Sequence, residues 1–238
     1  MGFLKGDPTE DKEIIEAYLG LKKRLVREHS AAYAASVPKV VWKTAGVYQC
    51  LIRRTLEAAD GMRAAWNSGN LLTAITMARS LIETGAVVRH LTDAIKKSVA
   101  DKNTETLDRA VMNVGFGTRI DDLYDGAVEK GKEDELKALN VLTTINKMDK
   151  AMFPKKEASF RKSYDFLSEF AHPNTFGIMG LYSDNFPKKY RVEFGNVAGK
   201  KKNILSSLRV TLAMIWLVDI AARDIDALIP AISEFVPK

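Results

Sequence analysis

Apolar residues recur at three- and four-residue steps along most of the chain, a spacing that predicts amphipathic helices. The approximate bounds of the seven predicted helices are 8–35, 38–66, 71–99, 104–114, 133–148, 156–171 and 203–228. The first two would form an N-terminal pair over residues 8–67. Asn67–Asn70 has the composition of a turn. Since proline breaks helix interiors, the last helix is expected to end before Pro230.

The segment after His172 has the alternation typical of short strands. Residues 177–183 and 189–194 predict two strands around a turn at 184–187. The predicted fold is therefore all-α, a bundle of long helices with a small β-hairpin inserted before the last helix. No repeat or linker divides the chain, so residues 1–238 are expected to form a single domain.

Composition narrows the cellular setting. The 238 residues are 46% hydrophobic and include one cysteine, Cys50, so an intrachain disulfide is excluded. No secretory signal pattern follows Met1. The most apolar run, 210–218, is flanked by Arg209 and Asp219 and is shorter than the roughly 20 residues of a membrane span. We therefore expect a cytoplasmic protein without a membrane span.

The net charge of +6 is concentrated between Lys147 and Lys202, a stretch that contains twelve basic and six acidic residues. Basic clusters attract phosphates and release counterions on binding nucleic acid. The candidate nucleic-acid-binding residues are Lys155, Lys156, Lys188, Lys189, Lys200, Lys201 and Lys202. A solvated surface that keeps the protein soluble is the alternative interpretation.

The predicted helix over 71–99 is apolar around its whole circumference, which is typical of a buried helix. Arg79, Glu83 and His90 nevertheless fall within about 40° of arc. Charges on a central helix must pair or line a cleft, because an unpaired buried ion costs several kcal/mol. A structural Arg79–Glu83 pair and a polar pocket between helices are both consistent with this pattern. Glu83 is expected to be largely buried and bonded to a basic or hydroxyl partner, with Arg79 or His172 the leading candidates.

The stretch 164–177 carries the other candidate side chains. Pro173 disfavours helix at His172, so the imidazole should lie at or beyond a helix end. The candidate catalytic residues are Arg79, Glu83, Ser168 and His172. Such a set suits acid–base chemistry, and a hydrogen-bonded corner that fixes the helix exit is the alternative.

Two short segments resemble a known superfamily. Residues 167–174 (LSEFAHPN) and 78–84 (ARSLIET) look like the signatures of uncharacterised bacterial helical proteins related to the HEPN superfamily, over roughly 71–228. The resemblance implies a helical bundle and a role in RNA metabolism, defence or toxin–antitoxin pairs. HEPN ribonucleases carry Arg, four to six residues, then His. That spacing is missing before His172, and the literal match from Arg24 to His29 is expected to lie on a solvated basic face.

Three functions are consistent with these patterns. The leading hypothesis is a degenerate or non-catalytic HEPN-like module that binds nucleic acid or a partner protein. The second is an RNA- or nucleotide-processing enzyme using the candidate catalytic residues. The third is a magnesium-dependent diphosphate enzyme, because Asp121, Asp122 and Asp125 resemble the Asp-Asp-x-x-Asp motif of class I terpenoid synthases. The second metal motif of those enzymes is missing, so we expect no metal and no cofactor. A homodimer is also considered.

Overall fold

The structure is a computed structural model that describes residues 3–6, 11–118, 120, 137–154, 159–186, 191–195 and 198–236. Its helices are α1 Lys12–Lys23, α2 Ala31–Ser36, α3 Lys39–Ser68, α4 Leu71–Asp101, α5 Glu105–Phe116, α6 Val141–Met152, α7 Ser159–Ala171 and α8 Ala198–Phe235. A π-helical turn, Phe176–Gly180, precedes strands β1 Ser183–Phe186 and β2 Arg191–Phe194. The predicted all-α helical bundle is confirmed.

Helix α4 lies at the centre of the bundle, as its apolar circumference predicts. It contacts α3, α5, α6, α7 and α8. Ile75, Leu81 and Ile82 are fully buried along its length. At Gly85 a side chain would meet the Met214 sulfur at 2.6 Å, so glycine allows α8 to approach α4 closely here. Thr84, Thr92 and Ser98 of α4 are buried as well.

The turn between α3 and α4 follows the sequence pattern. Gly69 adopts a left-handed conformation, with φ of 83°, and ends α3. The Asn70 side chain then accepts a hydrogen bond from the Thr73 backbone N–H at 3.1 Å and caps α4. These local signals bring α3 and α4 together as long antiparallel neighbours.

The single first helix predicted over 8–35 is wrong, because the chain leaves helical geometry between α1 and α2. The Gln49 side chain donates to the Arg24 carbonyl at 3.0 Å, and the Arg53 guanidinium donates to the Val26 carbonyl. Contacts from α3 therefore satisfy backbone groups that a continuous helix would bond internally.

The hairpin is present, but its predicted first strand is wrong. The backbone is helical through Tyr182, because the Asn174 side chain accepts from the Gly177 N–H at 2.9 Å and starts the π-helical turn. Strand β1 therefore occupies the residues predicted as the turn. It pairs antiparallel with β2, with Ser183 opposite Phe194.

The predicted end of the last helix before Pro230 is also wrong. Helix α8 continues through Pro230 to Phe235. Pro230 is exposed, whereas Ile232 beyond it is fully buried. Burial of this side chain offsets the hydrogen bond that proline cannot donate.

Two helices of the described part of the chain, α4 and residues 201–235 of α8, are long and apolar enough to cross a membrane by length and composition. Of their most apolar windows, 56% and 50% respectively are buried inside the protein. The core helix of a soluble protein has the same character, so the expectation of no membrane span and a cytoplasmic location stays a prediction.

Candidate functional site

A cleft of about 900 Å³ opens between α4, α5, α7 and the start of α6. Its walls include Arg79, Glu83, Ser168 and His172, the whole set of candidate catalytic residues. The fold thus brings α4 and α7 to one surface, although Arg79 and Tyr164 are 85 positions apart in the sequence. His90, which shares the polar arc of α4, does not line this cleft.

Helix α7 is held in place by a buried carboxylate of α6. Asp149 is 3% exposed, and its oxygens accept from the backbone N–H groups of Phe160 at 3.1 Å and Arg161 at 2.7 Å. These are N–H groups of the first turn of α7, which have no acceptor within the helix. Residue spacing did not indicate this role of Asp149. The cap orients α7 so that Tyr164 faces α4.

Tyr164 joins the two charged residues of α4. The Arg79 guanidinium lies 5.2 Å from the Tyr164 ring centroid and donates to its hydroxyl at 3.2 Å. That hydroxyl donates to Glu83 at 3.1 Å, whereas the Arg79–Glu83 ion pair is long, at 3.9 Å. The Glu83 side chain is 29% exposed. Glu83 is therefore partly buried at a cleft wall, less than expected. Its partners, the Tyr164 hydroxyl and the Arg79 guanidinium, are of the kinds expected.

A second arginine, Arg54 of α3, lines the same cleft. It donates to the Thr84 hydroxyl and to the Ser80 hydroxyl, both at 3.1 Å. Both hydroxyls belong to α4. Among the described residues, no carboxylate forms an ion pair with Arg54, so no such contact neutralises its charge. The sequence contains no local signal for this contact, because α3 and α4 meet only in the folded chain.

Ser168 and His172 lie one turn apart without forming a catalytic pair. The Ser168 hydroxyl donates to the Tyr164 carbonyl at 2.7 Å. His172 lies just beyond the end of α7, as predicted, and is exposed. Within the described part of the chain, no hydrogen bond joins this hydroxyl to the imidazole. Asn174 donates to Glu169 at 3.0 Å, which builds the hydrogen-bonded corner that was the alternative interpretation.

Asp165 and the start of α6 also line the cleft, and they differ in charge. Asp165 accepts from Arg161 at 2.8 Å, so its charge is already paired. The N-terminus of α6 also lines the cleft, through Val141 and Leu142, and the Asn140 side chain accepts from the Thr143 N–H at 3.0 Å. A helix N-terminus carries about half a positive charge. Arg54, Arg79 and this helix end favour an anion, whereas the Glu83 carboxylate opposes one.

Arg24 and His29, the literal HEPN-type spacing, do not form a site. Arg24 donates to Asp219 at 3.2 Å and to Asp226 at 3.0 Å. The His29 ring stacks on Tyr33 with a centroid distance of 4.9 Å. The expectation of a solvated basic face is wrong for Arg24, because its charge ties α1 to α8.

Most of the other candidate residues lie outside the described part of the chain. These are Lys155, Lys156, Lys188, Lys189, the Lys200 side chain, Asp121, Asp122 and Asp125. Lys201 and Lys202 are exposed near the start of α8. Among the described residues, no group of three or more His, Cys, Asp or Glu side chains could hold a metal ion.

No known family, curated protein or solved structure matches this chain. The relation to the HEPN superfamily therefore stays a prediction that rests on two short segments. What the chain does has to be inferred from the cleft itself.

Proposed function

We propose that this chain is a non-catalytic helical binding domain, and that its cleft holds a phosphate-bearing ligand, either a nucleotide or a nucleic acid. The observation that carries the proposal is the state of the two cleft arginines. Arg54 is held by two hydroxyls, and Arg79 by the Tyr164 hydroxyl with only a 3.9 Å contact to Glu83. Hydroxyl partners do not neutralise a guanidinium group. The positive charge and the remaining N–H donors can therefore still bind phosphate oxygens.

The start of α6 also supports an anionic ligand. Its first residues, Val141 and Leu142, line the same space, and N–H groups at helix starts bind phosphate readily.

The contacts of Ser168 and His172 favour binding over catalysis. A nucleophile needs a base within hydrogen-bond reach, and the Ser168 hydroxyl donates to a backbone carbonyl instead. The HEPN-like segments supply Arg79 and Glu83 on one side and Ser168 and His172 on the other. Their resemblance suggests a setting in RNA metabolism, defence or a toxin–antitoxin pair.

Calorimetric titration with adenosine monophosphate and fluorescence anisotropy with a short single-stranded RNA test the proposal and separate the two sources of phosphate. Arg79→Gln should weaken binding by about tenfold, the loss of one charge-assisted contact. Arg109→Gln is the matched control, because it removes the same charge from an exposed pair with Glu105 on α5. Equal effects of the two variants, or no binding at low salt, would contradict the proposal.

A second candidate function is an RNA- or nucleotide-processing enzyme. The observation that favours it is that all four candidate catalytic residues line one cleft. The same RNA, incubated with the protein and analysed for cleavage, decides between the two. Cleavage lost in His172→Ala would replace the binding proposal with the enzyme, whereas intact RNA supports binding alone.

A further inference from the structure

A second groove, of about 480 Å³, lies beside the cleft between α3 and α5. Arg54 and Val114 line both spaces, so the groove and the cleft share a wall. Apart from Arg54 and Lys43, the groove is lined by apolar and small residues, and Lys43 is paired with Asp108 at 2.8 Å. The groove therefore offers apolar surface directly beside an arginine of the cleft.

Gly46 and two aromatic residues, Trp42 and Phe116, line the groove. A side chain added at Gly46 would meet nothing within 4 Å, so the space above this glycine is open. At Gly115 a side chain would meet Val47 at 2.7 Å, which shows how closely α5 approaches α3. Trp42 is 43% exposed and Phe116 is 55% exposed. Aromatic side chains beside a glycine surface suit a planar ring that can stack against them.

We propose that the groove holds the base of a nucleotide whose phosphate lies between Arg54 and Arg79. This inference rests on the proposed function and specifies its ligand. A nucleotide joins a planar aromatic base to a phosphate through a sugar, which matches a groove with aromatic residues joined to a cationic cleft through Arg54. The groove volume is in the range of small-molecule sites. A nucleic acid would place its terminal nucleotide in the same way.

Adenosine monophosphate and ribose 5-phosphate, titrated by calorimetry, separate the two halves of this site. Because one stacked base contributes about tenfold or more to affinity, adenosine monophosphate should bind at least about tenfold more tightly. Arg79→Gln should weaken both compounds. If both bind equally in the wild type, the base assignment is overturned while phosphate binding at Arg79 stands. If neither binds, the inference is overturned, and the proposed function is overturned with it if the short RNA does not bind either.

Gly46→Leu fills the groove without meeting a neighbouring atom at its first carbon, so the variant should fold with a Tm at or above that of the wild type. It should reduce the affinity for adenosine monophosphate to that for ribose 5-phosphate. Ala64→Leu, which adds the same side chain at an exposed position of α3, should have no such effect. An unchanged preference for adenosine monophosphate in Gly46→Leu would overturn the inference.

Cys50 provides a readout that needs no variant. It is the only cysteine of the chain, it is exposed, and it lines the groove. Saturating adenosine monophosphate should slow alkylation of Cys50 several-fold, whereas saturating ribose 5-phosphate should leave the rate unchanged. Equal rates with both compounds would overturn placement of the base in the groove.

Octyl phosphate tests whether the groove takes an aliphatic chain instead of a base. If octyl phosphate binds more tightly than adenosine monophosphate and protects Cys50 from alkylation, the base assignment is wrong.

Discussion

Two clusters of arginines in this molecule differ in what holds them. At the junction of α1 and α8, Arg24 and Arg223 both bond to Asp219, whose side chain is 4% exposed, and Arg24 also pairs with Asp226. In the cleft, hydroxyls hold Arg54, while Arg79 has Tyr164 as its close partner. The junction pairs its arginines closely with carboxylates, whereas in the cleft the Glu83 carboxylate lies 3.9 Å from Arg79 and the contacts of Arg54 are with hydroxyls.

This difference shows why the type of partner is more informative than the presence of an arginine. A guanidinium paired to a buried carboxylate has its charge offset and contributes to stability. A guanidinium held by hydroxyls is positioned without being neutralised, so an anion can still bind it. Substitutions at the junction should therefore alter the free energy of unfolding, and substitutions in the cleft should alter ligand affinity.

The largest effect on stability is expected from Asp219→Ala. Removal of this buried carboxylate leaves two arginines without their common partner and should lower the free energy of unfolding by about 3 kcal/mol. Urea denaturation measures the change. Asp224→Ala is the control on the same helix: it removes an exposed partner of Lys96, and such pairs contribute under about 1 kcal/mol. Similar losses in the two variants would contradict the distinction between the clusters.

The next largest effect is expected from Asp149→Ala, which removes the cap of α7. The loss of two hydrogen bonds from a buried carboxylate should cost about 2 kcal/mol. Because α7 carries Tyr164, ligand binding should weaken as well, unlike in Asp219→Ala. Urea denaturation and calorimetry on the same samples test both parts. A destabilised variant with unchanged affinity would show that the cap does not position the cleft.

The long helices could be predicted from the sequence because their signals are local. The turn at Asn67–Asn70 carries its own capping chemistry, and the apolar circumference of α4 specifies its burial. The break after α1 depends on Gln49, and the course of α8 beyond Pro230 depends on burial of Ile232. These contacts join residues distant in sequence, so residue spacing could not predict them.

The residues of the candidate site also fall into two groups, those that the sequence pattern indicated and those that only the fold shows. Arg79 and Glu83 could be found because they depart from the apolar pattern of α4. His172 could be found because Pro173 marks a helix end there, and Ser168 because it lies one turn before His172. Arg54 could not, since its partners Ser80 and Thr84 lie on another helix. A tyrosine such as Tyr164 at a helical core position looks like ordinary packing, and only the fold shows its hydroxyl between Arg79 and Glu83.

A smaller effect, of opposite sign on binding, is expected from Glu83→Gln. This change removes the carboxylate nearest to Arg79 and keeps a hydrogen-bond acceptor for Tyr164. The free energy of unfolding should change by less than about 1 kcal/mol, because the ion pair is long and partly exposed. Affinity for adenosine monophosphate should rise several-fold in calorimetric titration. Weaker binding would indicate that Glu83 orients the ligand rather than opposing it.

The smallest effect concerns pH. Burial of His90, with a further contribution from Lys147, lowers the pKa of its imidazole below the ordinary value of 6.5, against the opposing influence of Asp93. The unfolded chain therefore binds this proton at a higher pH than the folded chain does. This contribution to stability is complete above about pH 6.5 and declines as the pH falls through the folded-state pKa. His90→Gln should reduce the loss of stability between about pH 7.5 and about pH 5.5 in urea denaturation. A loss equal to that of the wild type would show that other groups account for it.

We infer that the cleft arginines bind a ligand and that the junction arginines maintain the fold. The ligand-induced rise in Tm distinguishes these roles when it is measured with adenosine monophosphate on the wild type, Arg79→Gln and Arg24→Gln. A ligand at a hundred times its Kd stabilises by about 2.7 kcal/mol, which raises Tm by roughly 5–10 °C in a chain of this size. Arg24→Gln should have a lower Tm without ligand and keep the rise, whereas Arg79→Gln should keep most of its Tm and lose most of the rise. The opposite assignment, in which Arg79→Gln retains the full rise, would contradict the account.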